Sequence, residues 1–265
     1  MQDEHHTSMV KSTPFFWQDR LRASGIHLLI CLAVASLAAL LVFAVWYPYP
    51  YREISGGREL FFIVISVDVV LGPLITLAVF NRSKPRAELR RDLAMVGLLQ
   101  LVALAYGLWT VQLARPVHLV FEYDRFRVVH AADIPEELEI RTPPGITTYP
   151  LLGPTTLALR AFKDGNEQGD ATIAALQGLS LSAQTPLWQP YALAKLEVLA
   201  AAKPVNLLRQ RFAQRASDID SALARTGRPP DTLVYLPMVG RKSFWTVILD
   251  GTSADVLGFM PLDSF

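Results

Sequence analysis

Cysteine is nearly missing from this chain: Cys31 is the single one among 265 residues. An intrachain disulfide and a redox thiol pair are therefore both excluded, and cysteine usage leaves the redox compartment open. Excess charge is missing too, with a formal net charge of +1. Residues 114–265 hold 15 Lys and Arg against 16 Asp and Glu, so the basic footprint of a nucleic-acid binder is absent. No G-x-S-x-G elbow, H-E-x-x-H pair or phosphate-cradling G-x-x-x-x-G-K occurs. No catalytic residue, cofactor or metal is expected. His5-His6 reads as an adventitious pair in a leader, and His118 and His130 as ordinary strand or edge histidines. Asp164–Asp170 carries oxygen ligands at the first and third calcium-loop positions and glycine at the sixth. Ala175 stands where the bidentate glutamate belongs, so a solvated turn is expected there.

What the chain has in abundance is uninterrupted apolar sequence. Ile26–Tyr47, Leu60–Phe80 and Leu93–Leu113 each run about twenty residues with almost no polar break. At about 1.5 Å per residue each reaches across a hydrocarbon core roughly 30 Å thick. Three transmembrane helices follow, then a soluble domain over 114–265 large enough to bury its own core. The first stretch exceeds a secretory h-region of roughly 7–15 residues and lies behind a 25-residue leader, so it reads as a retained anchor. The loop Asn81–Asp92 concentrates Arg82, Lys84, Arg86, Arg90 and Arg91, against Arg52 and Arg58 in Pro48–Glu59. The positive-inside rule then places that loop and the N-terminus in the cytoplasm and the C-terminal domain outside. Trp46, Tyr47, Tyr49, Tyr51 and Trp109 fall near the outer interface, where such rings are enriched.

Within the spans, Asp68 is the most pointed residue. A carboxylate near a span centre costs about 2.5–3.5 kcal/mol on insertion scales, and such groups face protein or water. Asp68, Gly72 and Thr76 recur every four residues and share a helical face, with Pro73 predicting a kink. Gly97, Gln100, Leu104 and Gly107 form a small-and-polar seam on the third span. Asp68 and Gln100 meeting inside the bundle is one reading. Their heights, roughly 3 Å and 4.5 Å to opposite sides of the span centres at 1.5 Å per residue, predict no direct bond. Contact with a partner helix and a proton or ion path are the others.

The soluble part reads as α+β with a mainly antiparallel sheet. Strands are expected at Val117–Tyr123, Phe126–Val129, Thr232–Leu236, Phe244–Leu249 and Val256–Phe259, with a tight Asp250-Gly251 turn between the last two. Helices are expected at Asp170–Leu179, Pro190–Ala202 and Val205–Arg225, and irregular chain over 131–160.

Several stretches together resemble the type IV pilin accessory proteins of the TfpX/TfpZ kind. They include Gly25–Ile30, Trp46-Tyr47-Pro48, Val67–Thr76, Asn81–Arg86, Arg90–Leu93, Tyr106–Trp109, Arg115-Pro116 and Asp124-Arg125-Phe126. Coverage is clearest over residues 20–130. The resemblance implies a bacterial inner-membrane assembly factor that stabilises a cognate type IV pilin or promotes its assembly. Its partners would be that pilin, the lipid bilayer and other pilus assembly proteins. Asp68, Gly72, Pro73, Thr76 and Gln100 are then the expected contacts to the pilin helix, and the exterior domain meets the pilin head. A membrane-anchored envelope enzyme and an extracytoplasmic sensor are the alternatives.

Overall fold

A computed structural model describes residues 15–265. The His5-His6 pair and most of the leader lie outside the described residues. Four helices come first: α1 (Phe15–Leu40), the short α2 (Tyr51–Ile54), α3 (Gly57–Val79) and α4 (Arg86–Leu113). α1 continues as a wider π-helical segment, Leu41–Trp46. Three helices, Trp17–Trp46, Gly57–Val79 and Arg86–Leu113, are long and apolar enough to cross a membrane. Much of their side-chain surface is exposed leucine, isoleucine and valine. Such a surface is stable in lipid and not in water.

The chain forms two compact units. One joins the described residues up to Ala39 with Phe61–Trp109, and the other joins Leu40–Leu60 with Thr110–Phe265. The second unit carries an eight-stranded sheet in the order β4-β3-β1-β2-β6-β7-β8, with β5 also paired to β6. In chain order the strands are β1 (Pro116–Glu122), β2 (Arg125–His130), β3 (Thr155–Leu159), β4 (Trp188–Pro190), β5 (Lys203–Pro204), β6 (Leu233–Val239), β7 (Phe244–Asp250) and β8 (Val256–Met260). Five further helices accompany them: α5 (Glu136–Glu139), α6 (Gly165–Leu176), α7 (Lys195–Ala201), α8 (Val205–Arg211) and α9 (Ala216–Ala224).

The sheet is mixed, which corrects the expectation of a mainly antiparallel one. β3 joins β1 in parallel and β6 joins β2 in parallel. Parallel neighbours require a long connection, and the chain between β1 and β3 and between β2 and β6 supplies it. Alternation along one strand carries no record of which distant strand lies beside it.

Both faces of the sheet are covered, so β1 is buried at every residue. Leu119, Phe121, Phe126, Val128, Leu236, Met238, Val247 and Leu249 belong to one core cluster. Val120, Val129, Leu157 and Trp188 belong to a second, and Leu233, Tyr235 and Ile248 to a third beneath α8 and α9. The first cluster also contains Tyr51 and Ile54, from the segment between the first two long helices. The Ile54 carbonyl accepts the Lys242 N–H at 3.0 Å, and Lys242 Nζ pairs with Glu59 at 2.6 Å. Tyr47 is fully buried and donates its hydroxyl to the Val111 carbonyl at 3.1 Å. That short segment is a structural part of the sheet domain.

Other elements depart from the sequence expectations. The stretch 131–160, expected to be irregular, contains α5 and β3. The predicted long helix Val205–Arg225 is broken between α8 and α9 at Phe212–Arg215, where Phe212 leaves helical geometry (φ −120°, ψ 50°) and packs against the third cluster. Pro190–Ala202 yields a 3-10 turn and then only the short α7, since Trp188–Pro190 is drawn into the sheet beside β3. The turn between β7 and β8 spans Gly251–Asp255 and not two residues. Asp250 Oδ1 accepts from the N–H groups of Thr252 and Ser253 there, and Ala254 takes a positive φ of 58°.

α6 starts five residues before its predicted Asp170 start, because Asp164 caps it: Asp164 Oδ1 accepts the Glu167 N–H at 2.8 Å. Glu167 itself is held by the Arg160 guanidinium and by the Lys163 N–H, which bring its carboxyl down to about 2. The faint calcium-loop spacing is therefore the capped first turn of a helix. Asp164→Ala should lower the stability of the sheet domain by about 1 kcal/mol, read as a shifted urea midpoint at unchanged slope.

Candidate functional site

The first unit holds a cleft of about 230 Å³ lined by residues of α1, α3 and α4. Ile30, Cys31 and Val34 come from α1, Ile65 and Asp68 from α3, and Gly97, Gln100, Leu101 and Leu104 from α4. Its lining is almost wholly apolar apart from His27, Asp68 and Gln100. Polar contacts hold the three helices in this arrangement. His27 Nδ1 and Thr76 Oγ1 lie 2.5 Å apart, and the Ser24 hydroxyl donates to the Pro73 carbonyl at 2.8 Å. Gln100 Nε2 donates to the main-chain carbonyl of Asp68 at 3.1 Å and approaches Cys31 Sγ at 3.7 Å.

Gln100 and Asp68 thus do meet, against the expectation from their heights. The bond goes to the main chain and leaves the carboxyl group out. Close approach makes this possible: a Cβ added at Gly72 would overlap the Gln100 amide, and one at Gly107 would overlap Val64. Small residues bring membrane helices together in this way. Gly97 has open space where its Cβ would be.

The five residues singled out in the sequence are therefore divided. Gly72, Pro73 and Thr76 are buried within the bundle, while Asp68 and Gln100 are half-buried and line the cleft. The Asp68 carboxyl makes no hydrogen bond or ion pair with any described residue. His27 and Cys31, which the sequence did not mark as site residues, also line the cleft. Their i, i+4 spacing on α1 was the available signal.

Among the described residues no group of three or more His, Cys, Asp or Glu side chains is placed to hold a metal ion. His118 is buried beneath its strand, bonded to Thr155 Oγ1 at 2.8 Å and to the Thr148 carbonyl at 2.9 Å. His130 Nδ1 pairs with Asp133 at 3.0 Å, and Asp133 also pairs with Arg241 at 2.7 Å.

These features define a membrane-associated protein with three long apolar helices and a mixed α+β domain. Residues 15–56 match the family model of the fimbrial assembly protein FimB. Over 249 residues the chain is 36% identical to the serogroup I fimbrial assembly protein of Dichelobacter nodosus, covering 92% of this chain and 95% of that one. It is 34% identical to the serogroup E1 protein of the same organism over the same shares. It is 44% identical to the serogroups C1 and C2 protein over 113 residues, 43% of this chain and 86% of that one. The chain belongs to this fimbrial assembly protein family, consistent with the type IV pilin accessory resemblance. No solved structure matches it.

Proposed function

We propose that this protein is an inner-membrane factor in type IV fimbrial assembly that holds the membrane helix of a cognate pilin in the cleft beside Asp68. The Asp68 carboxyl, which has no hydrogen-bond or ion-pair partner among the described residues, carries the proposal. A centrally placed carboxylate is costly in a span, and a partner helix bringing a polar group to its depth relieves that cost. Gln100 meets the same helix from α4. Gly72, Pro73 and Thr76 act from behind, fixing the helix that presents Asp68. The open space at Gly97 lets a second backbone approach closely. The sheet domain contacts the pilin head outside the cytoplasm, and Lys84 with the four arginines of residues 81–92 supports an N-terminus inside. The role is one of stabilisation or assembly and not of catalysis.

Asp68→Ala should cut pilin co-purification about tenfold, equivalent to about 1.4 kcal/mol of association, at an unchanged level of the factor itself. Undiminished pilin recovery with Asp68→Ala would remove Asp68 from the interface and overturn the cleft assignment.

A further inference from the structure

Leu151 and Leu152 are among the most exposed apolar side chains of the sheet domain, at 77% and 80%. They are adjacent, and their loop is pinned on either side of them. The Pro150 carbonyl accepts from Arg115 Nη2 at 3.0 Å, and Gly153 donates its N–H to the Val45 carbonyl at 3.0 Å. Both partners mark ends of apolar helices. Val45 is the penultimate residue of the candidate span Trp17–Trp46, and Arg115 lies two residues beyond the span that ends at Leu113. Gly153 also has a positive φ of 58°, with Pro48 beside it. Leu151 and Leu152 further line an apolar cleft of about 750 Å³ with Ile146 and Tyr191.

We propose that Leu151 and Leu152 form an additional membrane contact, inserted at the boundary between lipid headgroups and acyl chains. The occupant of this surface is the bilayer itself, because the loop is hydrogen-bonded to the last turn of a helix that ends there. An exposed leucine pair held at that level by the Arg115 side chain on one side and a main-chain bond to Val45 on the other gains by leaving water. Half-exposed Tyr49, from the same end of the first span, adds the ring type enriched at that boundary. The contact fixes the height of the sheet domain against the membrane independently of any pilin.

The test uses the full chain reconstituted without pilin into phosphatidylcholine vesicles. A bimane fluorophore is attached at Leu152→Cys or, as a comparison, at Leu176→Cys on α6, where Leu176 is 84% exposed. The unsubstituted chain gives the contribution of Cys31. Lipids brominated high in the acyl chain should quench the label at 152 several-fold more strongly than the label at 176. Equal weak quenching at both sites would overturn the proposal and put the loop in water. A label at 152 that resists both brominated lipid and aqueous iodide would also overturn it, by showing a protein contact instead. Neither result depends on pilin binding, so failure here leaves the Asp68 assignment standing.

Discussion

Aspartate in place of Ile54 should unfold the sheet domain while leaving the apolar helices in the membrane. Ile54 is fully buried, although it lies some sixty residues before the first strand in sequence. It packs in the cluster formed by Phe126, Met238 and Trp245, and Gly240 lies so close that an added Cβ would be 3.0 Å from Ile54 Cβ. Truncation of a buried isoleucine to alanine costs about 2–5 kcal/mol, and an unpaired buried carboxylate costs more. Domains of this size are stable by only about 5–15 kcal/mol, so the aspartate removes most of that margin. Limited proteolysis should cut residues 114–265 at least tenfold faster in Ile54→Asp, with Ile54→Ala intermediate. Equal protection of all three chains would show that the segment 40–60 contributes nothing to the domain. The same packing predicts that residues 114–265 expressed alone fold poorly, since they leave behind Tyr47, Tyr51 and Ile54.

The second large effect is one of pH. Burial of His118 pushes its imidazole down from 6.5 to about 4, the bonds to Thr148 and Thr155 only partly offsetting it. Nε2 donates to the Thr148 carbonyl, so Nδ1 accepts from the Thr155 hydroxyl, and the neutral ring has both nitrogens satisfied. Above pH 6.5 the residue is neutral in the folded and unfolded chain alike and adds no slope. Between 6.5 and 4 the unfolded chain binds a proton that the folded one refuses, so stability falls as pH falls. The loss amounts to about 3 kcal/mol by pH 4. Urea unfolding of the purified chain followed by near-ultraviolet circular dichroism at pH 7.5 and 4 measures it. His118→Gln should be less stable at pH 7.5 yet lose about 3 kcal/mol less on acidification. An identical acid loss in both chains would assign it to other groups.

The membrane helices were legible because their signal is local. Twenty apolar residues in a row need no tertiary information to be read, and neither does a lone Asp68 within them. The family resemblance was legible for the same reason, since its motifs are short and contiguous. The strands β1, β2, β6, β7 and β8 announced themselves through runs of β-branched and aromatic residues, although their ends shifted.

Other features depend on contacts between residues far apart in sequence. β3 is a five-residue strand whose place is settled by pairing with β1, and nothing within Thr155–Leu159 names that neighbour. Val205–Arg225 has a continuous helical composition, and the break at Phe212 follows from its ring packing in the third cluster. Gln100 stands out in the sequence as a polar residue within an apolar span. Its bond to the Asp68 carbonyl depended on the close approach of α3 and α4 at Gly72.

By itself, then, the sequence determined that the chain has three long apolar helices, a centrally placed carboxylate in the second and an α+β region after them. The mixed order of the sheet, the adoption of residues 40–60 into its core and the exposure of the Asp68 carboxyl to the cleft were decided only by the tertiary structure. Hydrophobic length and periodicity are properties of neighbouring residues, whereas strand partners, core membership and satisfaction of a polar group are set by which distant surfaces exclude water together.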